Sequence, residues 1–152
     1  MVEKVTIMGM GHQGLAMAAH LGNHAVECFL WNRSEGHIRE IQKNKEVVCK
    51  GIIEKRVKIH KVSTNLEDVL QKTIMVTTPS SAHGDLARML APYMDESYTI
   101  ILNPGRTFGV LEFMYTLKQA GCVRVPRVAE TQTIVYTCRR EADNVVRIYA
   151  LK

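Results

Sequence analysis

A glycine pattern close to the N-terminus constrains the fold more than any other feature of this chain. It has the form G-x-G-x-x-G and consists of Gly9, Met10, Gly11, His12, Gln13 and Gly14. The preceding residues, 5–8, form a short apolar run with β-branched residues, which is typical of a buried strand. Residues 13–21 are rich in Ala, Leu and Met and predict a helix that ends near Gly22. The pattern therefore lies at a turn from a strand into a helix.

Each of the three glycines has a physical reason at such a turn. Gly9 permits the tight turn, Gly11 lets the backbone approach a pyrophosphate, and Gly14 allows the helix to pack closely on the strand. The N-terminus of the helix offers unpaired N–H groups and a partial positive charge to phosphates. We therefore predict that all six loop residues bind a dinucleotide. The alternative is a glycine-rich turn with a purely structural role.

The end of the second predicted strand, residues 25–31, bears on which dinucleotide binds. In an NAD site an acidic residue about 20 positions after the glycines holds the ribose 2′-hydroxyl. Here the strand is followed by Asn32, Arg33 and Ser34, and none of these is acidic. Arg33 can pair with a 2′-phosphate and stack on adenine. We predict that the cofactor is NADP(H), favoured over NAD(H). The alternative is that Arg33 only stacks on adenine and the site accepts either cofactor.

The rest of the chain alternates between helix and strand patterns to about residue 120. Helices are predicted at residues 35–44, 80–90 and 109–119, and a helix start at 63–65. Strands are predicted at residues 73–77 and 98–102, in short pieces within 46–62 around a turn at Gly51, and in the tail at 123–128, 133–138 and 145–151. This alternation predicts an α/β domain over residues 1–152, with a doubly wound, mostly parallel sheet and a β-rich C-terminal end.

Composition and charge exclude several classes of function. The net charge of +5 comes from Lys and Arg scattered among acidic residues, without interleaved aromatic side chains, so we expect no nucleic-acid partner. No apolar run approaches the roughly 20 residues that span a bilayer, and the N-terminus does not resemble an export signal. The four cysteines are widely spread and lack the spacing of a metal site. We expect a cytoplasmic protein without a bound metal, whose cysteines are mostly buried.

Three later segments indicate to which family of dinucleotide-binding proteins the chain is similar. They are Thr77-Thr78-Pro79-Ser80-Ser81-Ala82-His83, Leu102-Asn103-Pro104-Gly105-Arg106-Thr107-Phe108-Gly109 and Val128-Ala129-Glu130-Thr131. Together with the glycine pattern, they resemble the N-terminal Rossmann domain of the octopine/nopaline (opine) dehydrogenase family. The resemblance covers essentially the whole chain, and the Asn-Pro-Gly-Arg-Thr and Ala-Glu-Thr segments are its specific part.

This resemblance implies an NAD(P)-dependent oxidoreductase that joins an α-keto acid to the amine of an amino acid and reduces the imine, or runs the reverse reaction. In the family, a helical C-terminal domain supplies the catalytic His and Asp and much of the substrate site. We expect the chain to lack that domain and to be inactive alone. The alternatives are a non-catalytic NAD(P)-binding module, completed or not by a separate subunit, and a fragment of a ketopantoate reductase or 6-phosphogluconate dehydrogenase-like enzyme. Exposed apolar residues near 145–151 would also allow the chain to form a homodimer.

The resemblance also carries over further site residues. One group follows the strands predicted at 73–77 and 98–102 and is expected beside the nicotinamide ribose. Its residues are Thr78, Pro79, Asn103, Pro104 and Gly105. Those expected at the interdomain cleft are Arg106, Glu130 and Thr131. Arg106 could orient a substrate carboxylate, or could instead form an ion pair with Glu112 or Glu130. His83 is a further candidate for the cleft, and we interpret it as a structural or cofactor-edge residue rather than a catalytic acid.

Overall fold

The computed structural model describes residues 1–152 and contains two β-sheets. The strands of the first sheet are β1 (Lys4–Met8), β2 (Glu27–Trp31), β5 (Lys61–Ser63), β6 (Thr73–Val76), β7 (Thr99–Leu102) and β8 (Arg127–Glu130). All six are parallel, in the spatial order β5-β2-β1-β6-β7-β8. From β1 the chain builds outward on one side through β2 and β5, then returns to the centre and continues on the other side. This is a doubly wound sheet whose topological switch point lies between β1 and β6.

The second sheet combines strands from the middle and the end of the chain. Its strands are β3 (Glu46–Gly51), β4 (Lys55–Lys58), β9 (Tyr136–Ala142) and β10 (Val145–Leu151). The spatial order is β4-β3-β10-β9, in which only the central pair, β3 and β10, is parallel. The predicted β-rich C-terminal end is thus confirmed, and its strand β10 pairs with β3, which ends at Gly51.

Four α-helices complete the fold. They are α1 (His12–Asn23), α2 (Arg39–Asn44), α3 (His83–Leu90) and α4 (Gly109–Gln119). Helix α1 lies between the two sheets, so its Ala-rich and Leu-rich sequence is buried from Gly14 to Ala19. Helices α3 and α4 pack together against the other face of the first sheet. Each face therefore has its own core, and a fully buried large apolar side chain such as Phe113 contributes about 1.5–3 kcal/mol.

The helix start predicted at residues 63–65 is wrong in extent. Only a single 3-10 turn forms, Leu66–Asp68, although the Asn65 side chain caps it by accepting a hydrogen bond from the Glu67 N–H at 3.3 Å. The hydroxyl of Thr6 explains why no helix follows. It donates to the carbonyl of Val69 at 2.6 Å and accepts from the N–H of Gln71 at 2.8 Å, and both contacts turn the chain into β6.

Two tail strands are shifted relative to the prediction. The strand expected at 123–128 is β8, Arg127–Glu130, because Pro126 has no N–H for a sheet and Val123 is exposed to solvent. The strand expected at 133–138 begins later, at Tyr136, and runs to Ala142.

The helix predicted at 35–44 is divided into a 3-10 turn at Glu35–His37 and the short helix α2. No helix of the structure combines the length and the apolar character needed to cross a membrane.

Candidate dinucleotide-binding site

The glycine loop is held in one conformation by its neighbours. Gly9 has a φ of +101°, and its N–H donates to the carbonyl of Trp31 at 2.9 Å. The carbonyl of Gly9 lies 2.8 Å from the hydroxyl of Thr77, which is buried. A Cβ at Gly14 would stand 1.8 Å from that carbonyl oxygen, whereas a Cβ at Gly11 would meet nothing within 4 Å. The loop is thus packed at its first and third glycines and open at the second.

The open side of the loop is the N-terminus of α1. Gly11 is the N-cap residue, no side chain caps the helix, and no acidic residue lies in its first turn. The first N–H groups and the positive end of the helix dipole are therefore uncompensated. Such an end is suited to phosphate.

The side chains of His12 and Gln13 point away from this end and toward β9. The amide of Gln13 donates to the carbonyl of Tyr136 at 2.9 Å and accepts from its N–H at 3.4 Å. His12 Nδ1 accepts from the N–H of Arg140 at 3.1 Å. Only the main chain of these two loop residues is therefore available to bind a phosphate.

Beyond β2, the three residues of the Asn-Arg-Ser segment line a cavity of about 360 Å³. Asn32 links this segment to the glycine loop, because its Oδ1 accepts from the N–H of Met10 at 3.0 Å. Within the segment, the Asn32 amide donates to the carbonyl of Ser34 at 2.9 Å. The other lining residues are Gly9, Trp31, Arg33, His37, Thr78, Pro79, Ala82, Asp85, Leu86 and Met89. Asp85 is the one acidic residue among them, and its carboxylate is paired with Arg88 at 2.9 Å.

A second cavity, also of about 360 Å³, lies between the glycine loop and the ends of β6 and β7. It is lined by Gly11, His12, Gln13, Thr77, Thr78, Pro79, Ser80, Asn103, Pro104, Arg106 and Ile134. Three buried polar atoms at this edge of the sheet have no hydrogen-bond partner: Thr78 Oγ1, Asn103 Nδ2 and His83 Nε2. The carbonyl oxygen of the Asn103 side chain accepts from the Thr131 hydroxyl at 3.1 Å, which leaves its NH₂ group unpaired. Buried polar groups normally have hydrogen-bond partners, so these three atoms are available to ordered water or to a ligand.

His83 is almost fully buried at the start of α3, with its ring edge-on to Phe113 at a centroid distance of 6.2 Å. Burial lowers the pKa of His83, and the Thr78 main chain and the carboxylates of Glu112 and Glu130 oppose this shift without cancelling it. The lowered pKa favours the neutral imidazole, which is a poor general acid. The role of His83 as a structural or cofactor-edge residue stays a prediction.

Glu130 closes the N-terminus of α4. Its Oε2 accepts from the N–H of Val110 at 2.9 Å, and a Cβ at Gly105 would stand 2.0 Å from the same oxygen. Arg106 has a φ of +63° and lines both the second cavity and a shallow depression shared with Glu130. The ion pairs of the structure do not include Arg106, so the alternative of a pair with Glu112 or Glu130 is not observed. Its guanidinium is left available to a ligand.

Cys138 contacts the glycine loop, and its thiol is expected to be unreactive. Its thiol lies 3.4 Å from the carbonyl of His12, and burial raises its pKa to about 11. At pH 8 only about one thiol in a thousand would be ionised, so we expect iodoacetamide to alkylate Cys138 roughly a hundredfold more slowly than free cysteine. Mass spectrometry of timed reactions measures this rate, and the same chain in urea is the control. Equal rates in the folded and unfolded chain would contradict the prediction.

Comparison with known proteins places this site in a class. The family model described as NAD-dependent glycerol-3-phosphate dehydrogenase N-terminus matches residues 4–109. An opine dehydrogenase of Arthrobacter sp. (strain 1C) is 30% identical over 159 aligned residues, which include all of this chain and 44% of that protein. The structure of octopine dehydrogenase with NADH and pyruvate superposes with a TM-score of 0.82 at 17% identity, covering 98% of this chain and 41% of the other. Yersinopine dehydrogenase with NADP⁺ gives a TM-score of 0.76 at 14% identity, covering 98% and 39%.

The fold and the glycine loop define the cofactor domain of an NAD(P)-dependent oxidoreductase, a Rossmann domain. The chain belongs to the family described as NAD-dependent glycerol-3-phosphate dehydrogenase N-terminus. The predicted resemblance to the N-terminal Rossmann domain of the opine dehydrogenases is confirmed. It spans less than half the length of the opine dehydrogenase that it matches.

Proposed function

We propose that this domain binds NADP(H) in preference to NAD(H), for an oxidoreductase that acts on CH–NH groups. The observation that carries the preference is the cavity beyond β2, which is lined by Arg33 and Ser34 and whose single carboxylate, that of Asp85, is already paired. A 2′-phosphate needs cationic and neutral donors there, and a ribose 2′-hydroxyl is instead held by a free carboxylate.

The residues present fit the whole length of such a cofactor. The uncapped N-terminus of α1 at Gly11 suits the pyrophosphate. The unpaired atoms of Thr78 and Asn103 suit the ribose and carboxamide of the nicotinamide end, and Pro79 and Pro104 line the same cavity. Gly105 follows Pro104 but packs against Glu130. When bound, the nicotinamide supplies hydride transfer; the protein positions it and excludes water.

The likeness to the opine dehydrogenases supports the proposed reaction class. The relative from Arthrobacter is named an opine dehydrogenase, and a reaction of that class condenses an α-keto acid with an amino acid and reduces the imine. Arg106, unpaired at the edge of the second cavity, is positioned to hold a substrate carboxylate bidentately. Glu130 lines a depression with Arg106, and Thr131 bonds to the Asn103 side chain. The catalytic proton donor is expected outside this chain.

Replacing Arg33 with Ala tests the cofactor preference. We expect the NADPH dissociation constant to rise about tenfold or more, because a charge-assisted bond to phosphate is lost, and the NADH constant to rise less than about threefold. Isothermal titration calorimetry on the 152-residue chain measures both constants. Arg39→Ala, an exposed arginine on α2 that does not line the cavity, is the matched control.

Three outcomes would each contradict a part of the proposal. If the unmodified chain binds neither NADPH nor NADH, its role as a cofactor domain fails. If Arg33→Ala weakens both cofactors equally, the role of Arg33 at the 2′-phosphate fails. Turnover of an α-keto acid and an amino acid by this chain alone would contradict the expectation that catalysis needs residues outside it.

A further inference from the structure

Arg140 on β9 joins three separate segments around the cofactor loop. Its side chain is only 13% exposed. The guanidinium donates to the carbonyl of Met10 in the glycine loop at 3.0 Å, and to Nδ1 and the carbonyl of His37 at 2.9 and 3.3 Å. The remaining donors bond to the carboxylate of Asp143 and the carbonyl of Ala142 within the β9–β10 hairpin. Every one of these partners is an acceptor, as a guanidinium requires.

The contact with Arg140 fixes the chemistry of the His37 ring. A guanidinium has no lone pair to offer, so Nδ1 of His37 must be the accepting nitrogen. The proton of the neutral ring is therefore on Nε2, which remains a donor. His37 lines the cavity beyond β2 together with Arg33 and Ser34. A residue of the wall that would face the adenosine ribose thus carries a free N–H donor.

We propose that His37 is a specificity-determining contact for the 2′ substituent of the adenosine ribose and that Arg140 is the positioning residue that orients it. The inference rests on the proposed function and extends it to two residues on a different turn and a different sheet from Arg33. A 2′-phosphate presents only acceptor oxygens and carries charge, so an N–H donor favours it more strongly than it favours a neutral 2′-hydroxyl. Arg140 does not line the cavity; it acts through the ring and through the Met10 carbonyl.

Titration calorimetry with NADPH and NADH tests the two roles. In His37→Phe, which keeps a ring and removes the donor, we expect the NADPH dissociation constant to rise about tenfold and the NADH constant to change less than about twofold. In Arg140→Met we expect the same loss for NADPH and up to about a threefold loss for NADH, because the glycine loop also loses a contact. Arg139→Met is the matched control: this neighbour is exposed, makes no side-chain hydrogen bond, and should change neither constant.

The double variant separates positioning from an independent contribution. The quantity to compare is the dissociation constant for NADPH divided by that for NADH. If Arg140 acts on the 2′ substituent through His37, this ratio should be the same in the double variant, His37→Phe with Arg140→Met, as in His37→Phe alone. Additive changes in that ratio would overturn the positioning role. An unchanged ratio in His37→Phe would overturn the specificity role. Both results require that the unmodified chain binds NADPH, so failure of that binding is distinct and counts against the proposed function.

Discussion

Replacing Gly11 with Ala should weaken NADPH binding by about a hundredfold and leave thermal unfolding unchanged. Gly11 has a φ of −81°, which any L-residue adopts, and a Cβ there would meet no protein atom within 4 Å. The methyl group would instead stand at the uncapped N-terminus of α1, where the pyrophosphate must approach the N–H groups. Keeping the phosphates away from those donors removes several charge-assisted hydrogen bonds at once, which explains the size of the effect.

The measurement pairs calorimetric titration with a thermal melt followed by circular dichroism. Gln119→Ala is the control, because this exposed residue at the end of α4 lines neither of the two cavities. It should change neither affinity nor melting temperature appreciably. A Gly11→Ala variant that binds NADPH as tightly as the unmodified chain would show that the phosphates do not approach this loop.

The first half of the fold was predictable because its signals are local. The β1-α1-β2 unit follows from an apolar run, a glycine turn and an Ala-rich helix, and the structure confirms it within a few residues. The second sheet was not predictable in this way. Its central pair joins Val48 to Val145 across almost a hundred residues, and strand patterns do not specify their distant partners. The short β5, Lys61–Ser63, was likewise indistinguishable from its neighbours until its pairing with β2 was known.

The same distinction holds for the candidate site. The glycine loop and the residues after β2 were predicted because each directly follows a strand, and parallel strands align their carboxyl ends. The residues after β6 and β7 were predicted from the same edge together with the family resemblance. Arg140 was missed because it belongs to the second sheet and reaches the loop only through the packing of that sheet on α1. For the same reason the sequence could not show that the His12 and Gln13 side chains turn toward β9. Each of these contacts spans more than 120 positions.

Replacing Gly14 with Ala should destabilise the fold by about 3 kcal/mol, at the upper end of the cost of overpacking. The added Cβ would stand 1.8 Å from the Gly9 carbonyl oxygen and 2.9 Å from the Thr77 hydroxyl, where no methyl group fits. Relief by movement is expensive, because the same carbonyl oxygen accepts from Thr77 at 2.8 Å in a buried setting. Either α1 moves away from β1 or this buried hydrogen bond breaks.

The effect of Gly14→Ala should appear in stability before it appears in binding. For a domain of this size, 3 kcal/mol lowers the melting temperature by roughly 6–12 °C, and urea unfolding followed by circular dichroism gives the free energy directly. Gly11→Ala, three residues earlier in the same loop, is the matched control, because the same methyl group there has room in the protein. Equal stability of the two variants would mean that α1 does not pack on the loop as closely as the Gly9–Gly14 contact requires. The opposite pattern, a stable Gly11→Ala domain with lost affinity beside a destabilised Gly14→Ala domain, would assign the second glycine of the loop to the ligand and the third to the fold.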